Sequence, residues 1–404
     1  MKTAFLKTFG CKVNQYESQL IQERFKSSGY SLADSYENAD IALINSCTVT
    51  AEADRECRQL IRRIQKRNPQ AKIILTGCYL NRAPEELRKI FSTVTFKKNK
   101  EKIFNGEKPR PGAITSFDKH TRAFVKIQDG CDAFCSYCIV PYVRPKLTSR
   151  DENEILHEIS ELVGNGYPEI VLSGIRLGKY AGAGGLPGLL SKAVKLPGIF
   201  RIRLSSLEPG EVTPELIDLM SLNRNRICWH LHVPLQSGSD NVLKLMNRPY
   251  RTSAYIKVIA NIMAKLPEAG VTTDVIVGFP GETEKDFDNT YDFINKCGFS
   301  RLHVFKFSER EGTAAANMPG AVDADTAKNR SKRLRELDTS LQRSFWKKFV
   351  AKILNVVRES ESGFLISDNY IRIAASPEAI SGACPIFNAK ISEKNGLPFG
   401  IPYK

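Results

Sequence analysis

The chain has 404 residues, too many for one ordinary core, so two or three domains of about 100–200 residues each are expected. Apolar residues make up 42% and charged residues 25%, which excludes a disordered chain and fits a soluble, globular one. Lys plus Arg number 59 against 44 Asp plus Glu, and the net +15 favours a polyanionic partner, nucleic acid first, over a merely soluble basic surface. From the N-terminus, "TAFLKTFG" reads as a short apolar strand and "NQYESQLIQERFKSSG" as a helix closed by Gly29. "IALINS" and "AKIILTG" are the next strands. "AEADRECRQLIRRIQKRN" and "APEELRKIF" are the helices after them, with Pro84 near a helix start where it is tolerated. This is a parallel βαβαβα pattern.

Residues 92–120, basic and carrying Pro and Gly, read as a linker. A second alternation follows, with strands "AFVKIQ", "EIVLSG", "FRIRLSS", "WHLHVPL", "TTDVIVGF" and "RLHVFKFS". Helices fit between them, one opened by a Ser149–Glu152 capping box and one started by Thr283. Six βα units are fewer than the eight of a full barrel, so a partial (β/α)6 barrel is expected. A long basic helix covers 323–348. After it "VAKILNVVRES", "GFLISDNYIRIAA", "ACPIFNAKIS" and "GLPFGI" read as short strands of a small β-barrel. The fold class is α/β: an N-terminal parallel-sheet domain over 1–105, a partial barrel over 121–344 and a small β-barrel over 345–404.

"MKTAFLKTFGCKV" has no long apolar stretch or small-residue cleavage site, and no run approaches about 18 apolar residues. Neither a secretory signal nor a membrane span is expected, and a cytoplasmic location is. The ten cysteines then read as thiols for metal or catalysis rather than as disulfides. Cys131, Cys135 and Cys138 lie within eight residues, in "GCDAFCSYCIVP". An odd triplet does not suit disulfides, and zinc usually takes four ligands in two pairs. Three thiolates can hold three irons of a 4Fe–4S cluster and leave the fourth open to a small molecule. Phe134 and Tyr137 suit a cluster shielded from water. The triplet follows a barrel strand, where barrel active sites lie.

Cys11, Cys47 and Cys78 are 36 and 31 residues apart, one βα unit each, and each follows a strand. Strand C-termini of an open parallel sheet share one edge, so these three converge on a second three-thiolate site. Cys57 belongs to the apolar stripe of its helix with Leu60, Ile61 and Ile64. Arg55, Arg58, Arg62 and Lys66 form a basic stripe that fits RNA phosphates and a solvated face about equally well. Cys228, Cys297 and Cys384 read as packing residues. Gly174, Ser206, Glu208 and Gln236 stand at strand C-ends. Gly174 lets backbone approach a cofactor, and Ser206, Glu208 and Gln236 fit contacts to its ribose or amino group and ordinary loop hydrogen bonding about equally well.

The C-x3-C-x2-C spacing, with an aromatic before the last cysteine, resembles the radical S-adenosylmethionine superfamily. That resemblance implies that the amino and carboxylate groups of S-adenosylmethionine chelate the open iron. An electron from the cluster then cleaves the sulfonium to a 5′-deoxyadenosyl radical. Together with the N-terminal domain and its cysteines, nearly the whole chain resembles the methylthiotransferases, through "NSCTVTAEADRE", "LSSLEPGEV", "HVPLQSGSDNVLKLMNR", "TTDVIVGFPGETEKDF" and "HVFKFSEREGTAAANM". The tail resembles that family's TRAM domain, an RNA-binding barrel.

After Cys11 the isopentenyladenosine branch usually has Gln-Met and the ribosomal-protein branch Pro-Lys. Here stand Lys12 and Val13, which with "CTVTAEADR" resemble the branch acting on N6-threonylcarbamoyladenosine beside the tRNA anticodon. The resemblance implies methylthio insertion at C2 of that adenosine. It implies two 4Fe–4S clusters, S-adenosylmethionine as radical source and methyl donor, the anticodon stem-loop of tRNA as partner, and an electron donor such as a flavodoxin or ferredoxin. The same chemistry on isopentenyladenosine tRNA or a ribosomal protein, and a non-catalytic iron–sulfur RNA-binding protein, are the alternatives.

Overall fold

The computed structural model describes residues 2–104, 113–118, 120–359, 363–381 and 384–403; the middle of the expected linker, residues 105–112, lies outside the described residues. The chain forms two compact units. Met1–Ser116, Asp129–Thr148 and Ser308–Ala316 make the first, and Phe117–Gln128, Ser149–Phe307 and Asn317–Lys404 the second.

The first unit runs β1 (Thr3–Thr8), α1 (Lys12–Ser27), β2 (Ser31–Leu32), β3 (Ile41–Ser46), α2 (Ala51–Arg67), β4 (Lys72–Gly77), α3 (Cys78–Arg82), α4 (Pro84–Ile90) and β5 (Thr95–Phe96). The short α5 (Val140–Val143) also belongs to it. The sheet is parallel, in the order β2-β1-β3-β4-β5. Its two faces are both covered. Leu43, Ala4 and Ile74 pack on Ile21 and Phe25 of α1. Ala42, Ile44, Ile73 and Leu75 pack on Cys57, Leu60, Ile61 and Ile64 of α2. Burial on both faces is why β3 and β4 read as continuous apolar runs rather than alternating ones. Cys57 is fully buried in that core, as its helical spacing indicates. Helix α2 starts where Thr50 accepts from the Ala53 amide at 3.2 Å, with Glu52 and Asp54 in its first turn and Lys66 and Arg67 in its last.

The second unit holds six parallel strands. They are β6 (Arg122–Asp129), flanked by the edge pair β7 (Thr148–Ser149), then β8 (Glu169–Gly174), β9 (Arg201–Leu204), β10 (His230–His232), β11 (Gly270–Val277) and β12 (Arg301–Lys306). The order is β7-β6-β8-β9 in one sheet and β10-β11-β12 in another, joined across β9 and β10 only by isolated bridges such as Ser206 to His232. Helices α6 (Glu152–Gly164), α7 (Gly185–Ala193), α8 (Pro214–Leu222), α9 (Asp240–Leu245), α10 (Thr252–Lys265) and α11 (Glu284–Cys297) connect them. The six βα units are those of the expected partial barrel.

One cap differs from expectation. Asp151, not Ser149, caps α6, accepting from Asn153 and Glu154 amides at 2.9 and 3.2 Å. Asp151 is the residue next to the first turn, so its carboxylate reaches those amides. Ser149 instead accepts from the Ala181 amide at 2.9 Å. Thr283 opens α11 in a capping box with Asp286.

Helix α12 (Ala324–Lys347) leads into β13 (Ile353–Arg358), β14 (Phe364–Ser367), β15 (Arg372–Ala375), α13 (Pro377–Ser381), β16 (Ile386–Lys394) and β17 (Leu397–Pro402). The five strands close into a barrel ordered β13-β14-β15-β17-β16. Phe345 and Trp346 at the end of α12, and Phe349 just past it, join its core with Val356, Leu365 and Ile373. A barrel this small gains apolar area by taking in the helix end. Among the described residues no helix is long and apolar enough to cross a membrane.

Candidate functional site

Three parallel neighbours, β1, β3 and β4, end side by side, and a cysteine follows each end. Adjacent strands lie about 4.8 Å apart, so three loops leaving one edge put their first residues within reach of one another. The turns need glycine. Gly10 has φ +94°, and a Cβ there would stand 2.6 Å from Cys47 Sγ. Gly77 has φ +98°, and its Cβ would stand 2.6 Å from the Ser46 amide nitrogen. Buried Asn14 pins the loops by donating to Phe9 O at 2.9 Å and Ser46 O at 3.1 Å, and Asn45 donates to Asn14 O at 2.9 Å. Cys47 is 5% exposed, and burial pushes its thiol up to about 11, with Cys78 and Cys11 adding to the push. Surrounding protein pushes the Cys11 thiol up as well, but Cys11 is exposed and water screens much of that effect.

The second triplet occupies the loop after β6. Cys131 donates its amide to Arg144 O at 3.1 Å, Cys138 donates its own to Cys135 O at 2.9 Å, and the Ala133 amide points at Cys131 Sγ at 3.4 Å. Ser136 O accepts from the Ala315 amide at 2.8 Å, which ties residues 308–316 to the loop. Phe134, expected to shield the triplet, is 55% exposed and packs edge-on against Tyr142. It is a surface ring. Beyond the triplet, Ile139 and Val143 pack on Cys78. All six cysteines therefore belong to the first unit.

In the second unit a hydrogen-bonded belt crosses the C-terminal ends of β8, β9 and β10. Gly174 pairs with Gln128, whose Oε1 accepts from the Arg176 amide at 2.7 Å. The Arg176 side chain holds Glu211 at 2.7 Å, and Glu211 accepts from the Glu208 amide at 3.1 Å. Glu208 pairs with Arg248, whose Nε donates to Tyr250 Oη at 3.1 Å, and that hydroxyl donates to Leu235 O at 3.0 Å. Gln236 follows at φ +68°, a left-handed conformation that a non-glycine side chain adopts only when its surroundings impose it. Gly174, Glu208 and Gln236 thus lie along one belt, and Ser206 is the exposed residue beside it.

Two family models match: "Radical SAM superfamily" over residues 125–294 and "Uncharacterized protein family UPF0004" over residues 3–97. The threonylcarbamoyladenosine tRNA methylthiotransferase of Bacillus subtilis is 37% identical over 92% of this chain and 90% of its own. The tRNA-2-methylthio-N(6)-dimethylallyladenosine synthase of Thermodesulfovibrio yellowstonii is 33% identical over 90% of each. The chain belongs to the radical S-adenosylmethionine methylthiotransferase family. Among solved structures, the radical S-adenosylmethionine methyltransferase TsrM of Kitasatospora setae superposes with a TM-score of 0.58 at 13% identity, over 78% of this chain and 77% of that one, a likeness of fold alone.

Membership in this methylthiotransferase family implies a 4Fe–4S cluster and S-adenosylmethionine. The residues fit the cluster. Among the described residues, no three His, Cys, Asp or Glu side chains close around a point that one metal ion could occupy. A 4Fe–4S cluster instead takes each thiolate on a different iron, and so takes thiols held further apart. The soft donors, the amide aimed at Cys131 Sγ and the side-chain-free turn at Gly10 against Cys47 suit such a group.

Sequence reasoning missed three arginines. Arg144 reaches Cys78. Arg310 and Arg82 both hold Asp54 and the Thr48 hydroxyl, next to Cys47. Arg310 lies in "SEREGT", between Glu309 and Glu311, where it reads as part of an ordinary charged surface turn. Of the basic stripe on α2, Arg58 is engaged by Tyr79 and Glu86 and Arg55 by Glu52, while Arg62 and Lys66 are exposed. Cys228 and Cys297 are buried packing residues, but Cys384 is exposed and donates to Ile386 O, so it is not one.

A groove of about 730 Å³ runs along α12, lined by Lys306, Lys328, Lys332 and Arg335 with Asp325 and Glu336 among them. None of its lining residues is one of the cysteines or a member of the belt.

Proposed function

We propose that the chain is a tRNA methylthiotransferase that places a methylthio group on C2 of N6-threonylcarbamoyladenosine, 3′ of the anticodon. The observation that carries this reading is the gathering of two cysteine triplets in one compact unit. The substrate rests on Lys12 and Val13 after Cys11 and on the relative named for threonylcarbamoyladenosine, which is 37% identical.

Cys131, Cys135 and Cys138 are proposed to hold three irons of one 4Fe–4S cluster, and Cys11, Cys47 and Cys78 three irons of another. Gly174, Ser206, Glu208 and Gln236 are the proposed contacts to S-adenosylmethionine. When bound, these groups supply the one-electron chemistry that an unactivated aromatic C–H demands, together with the methyl group. The chain's own work is positioning. The Cys131 loop is held by backbone bonds from Cys131 to Arg144 and from Ala315 to Ser136, and the belt from Gly174 to Gln236 is held rigid by Arg176 and Arg248. Rigid support of this kind keeps a reacting group in place and water out.

The division into an N-terminal domain over 1–105, a barrel over 121–344 and an RNA-binding barrel over 345–404 belongs to this proposal. So do a cytoplasmic location, the anticodon stem-loop as partner, and a flavodoxin or ferredoxin as electron donor. Mass analysis of nucleosides in tRNA from cells with and without this protein tests it. The methylthio form of threonylcarbamoyladenosine should vanish without the protein. An unchanged nucleoside profile overturns the reading, and loss of the methylthio form of isopentenyladenosine instead moves the protein to the branch of its 33% identical relative.

A further inference from the structure

We propose that Arg144 is a positioning residue of the N-terminal cysteine site, holding Cys78 by an N–H···S bond and tying all three of its loops to the loop of the second triplet. The inference rests on the two-cluster reading above and assigns it a residue that the cysteine pattern does not contain.

Arg144 comes six residues after Cys138. Its Nε donates to Cys78 Sγ at 3.4 Å. Its Nη2 donates to Asn14 Oδ1 at 2.8 Å and Glu17 Oε2 at 2.9 Å. Its Nη1 donates to both Asp129 oxygens at 2.7 Å and to Glu17 Oε1 at 3.1 Å. A guanidinium has five N–H donors, so this set engages all three of its nitrogens within the first unit and leaves little for a substrate. Its side chain is 10% exposed.

The contacts reach every cysteine loop of the site. Cys78 is touched directly. Asn14, held by the guanidinium, bonds Phe9 O just before Cys11 and Ser46 O just before Cys47. The Arg144 carbonyl accepts from the Cys131 amide. Asp129 is the last residue of β6, two before Cys131. Burial alone would favour a neutral guanidinium. Glu17, Cys78 and Asp129 more than offset that and keep it cationic, and Lys100 pairs with Glu17 in turn. Bidentate, planar contacts of this kind are ones that lysine does not reproduce.

A donor on a ligand sulfur stabilises the more negative, reduced cluster and so raises its potential. Full-length protein is reconstituted with iron and sulfide without oxygen and titrated with dithionite, and the one-electron signals are read by electron paramagnetic resonance. The Cys131→Ala, Cys135→Ala, Cys138→Ala background identifies the N-terminal signal. Arg144→Gln should lower that midpoint by the equivalent of about a tenfold change in the reduced-to-oxidised ratio, ~59 mV for one electron, at unchanged iron per chain. Arg144→Lys should fall between the two.

An unchanged midpoint in fully loaded Arg144→Gln overturns the proposal. If Arg144→Gln does not load, Arg144→Lys decides by the same midpoint. If neither loads, loss of the N-terminal iron alone supports the role, whereas loss of all iron marks Arg144 as a general folding residue and overturns it. Wild-type protein carrying a single cluster would instead remove the two-cluster reading itself.

Discussion

Two buried arginine–carboxylate networks occupy the two units, built from the same chemistry and aimed at different targets. In the first unit Arg144, held by Glu17 and Asp129, points at a cysteine sulfur and at the residue that pins the other cysteine loops. In the second, Glu169 starts β8 fully buried, with Arg201 and Arg203 each donating to it at 2.7 Å and Arg122 forming an ion pair with it at 3.6 Å. The outer nitrogens of those arginines go to backbone carbonyls of the small barrel. Arg201 reaches Asn355 O and Ile366 O at 2.9 and 2.8 Å, and Arg203 reaches Ser367 O and Asp368 O at 2.9 and 3.1 Å. Tyr370 completes the joint, its ring stacked 4.2 Å from His230. A buried ion cluster is weak evidence of function by itself. What its spare donors hold is the informative part: thiol-bearing loops in one case, the seam of two barrels in the other.

Removing the targets of the first network should have the largest effect. Cys131→Ala, Cys135→Ala, Cys138→Ala together should abolish S-adenosylmethionine cleavage and leave about half the iron. Cys11→Ala, Cys47→Ala, Cys78→Ala should also leave about half, yet keep cleavage without sulfur insertion. Iron analysis and product chromatography read both. Equal loss of cleavage in the two variants would show that the triplets do not have separate roles.

Breaking the second network should change stability instead. Arg203→Ala leaves Glu169 short of a partner and takes one donor from each of the Ser367 and Asp368 carbonyls, a loss of about 3–5 kcal/mol for a buried pair broken from one side. Both tryptophans, Trp229 and Trp346, lie in the second unit, so their fluorescence on melting reports it. A melting curve like that of the wild type would make the seam ornamental. The same seam makes deletion of residues 345–404 a poor test of RNA binding, because it would strip buried arginines of their acceptors.

The seam should also show in acid. Burial pushes Glu169 up, but Arg203, Arg201 and Arg122 more than offset it and hold its carboxyl well below the usual range. A depressed folded-state value means that the stability is complete above the unfolded value of about 4.3 and is lost as pH falls below it. Wild-type fluorescence melts should therefore drop steeply below pH ~4.3. Glu169→Gln should melt lower at neutral pH and fall less on acidification. Parallel curves for the two proteins would remove Glu169 as the titrating group.

Much of this was legible in the sequence. Apolar runs of strand length placed Cys11, Cys47 and Cys78 at three strand ends, because a doubly covered parallel sheet leaves no other pattern. Helical spacing put Cys57 in the core. The two networks were not legible, for a shared reason. Arg144 is one of three basic residues in "VRPKLTSR", with Lys146 and Arg150, and its meaning depends on residues 14, 17, 78 and 129 meeting in space. Arg201 and Arg203 alternate along β9 as a solvent-facing pair would, and only the docking of Asn355 and Ser367 buries them. Ser149 failed as a cap because two residues later stood a carboxylate nearer the helix.

The smallest expected effect concerns surface charge, where neither network reaches. Lys328, Lys332 and Arg335 recur at helical spacing along one face of α12, all exposed, and Lys306 at the end of β12 faces the same groove. The Lys332–Glu336 pair spans 3.9 Å between two well-exposed side chains, so it contributes little and leaves the lysine available to a phosphate. Each phosphate contact on single-stranded RNA releases counterions and adds roughly −0.7 to the log–log slope of affinity against salt. Lys328→Ala with Lys332→Ala should therefore flatten the slope for an anticodon stem-loop by about 1.4 and weaken binding most at low salt. The double variant should melt as the wild type does, since both side chains are exposed and away from the Glu169 seam. An unchanged slope would place the RNA elsewhere, with exposed Arg62 and Lys66 on α2 the next pair to replace.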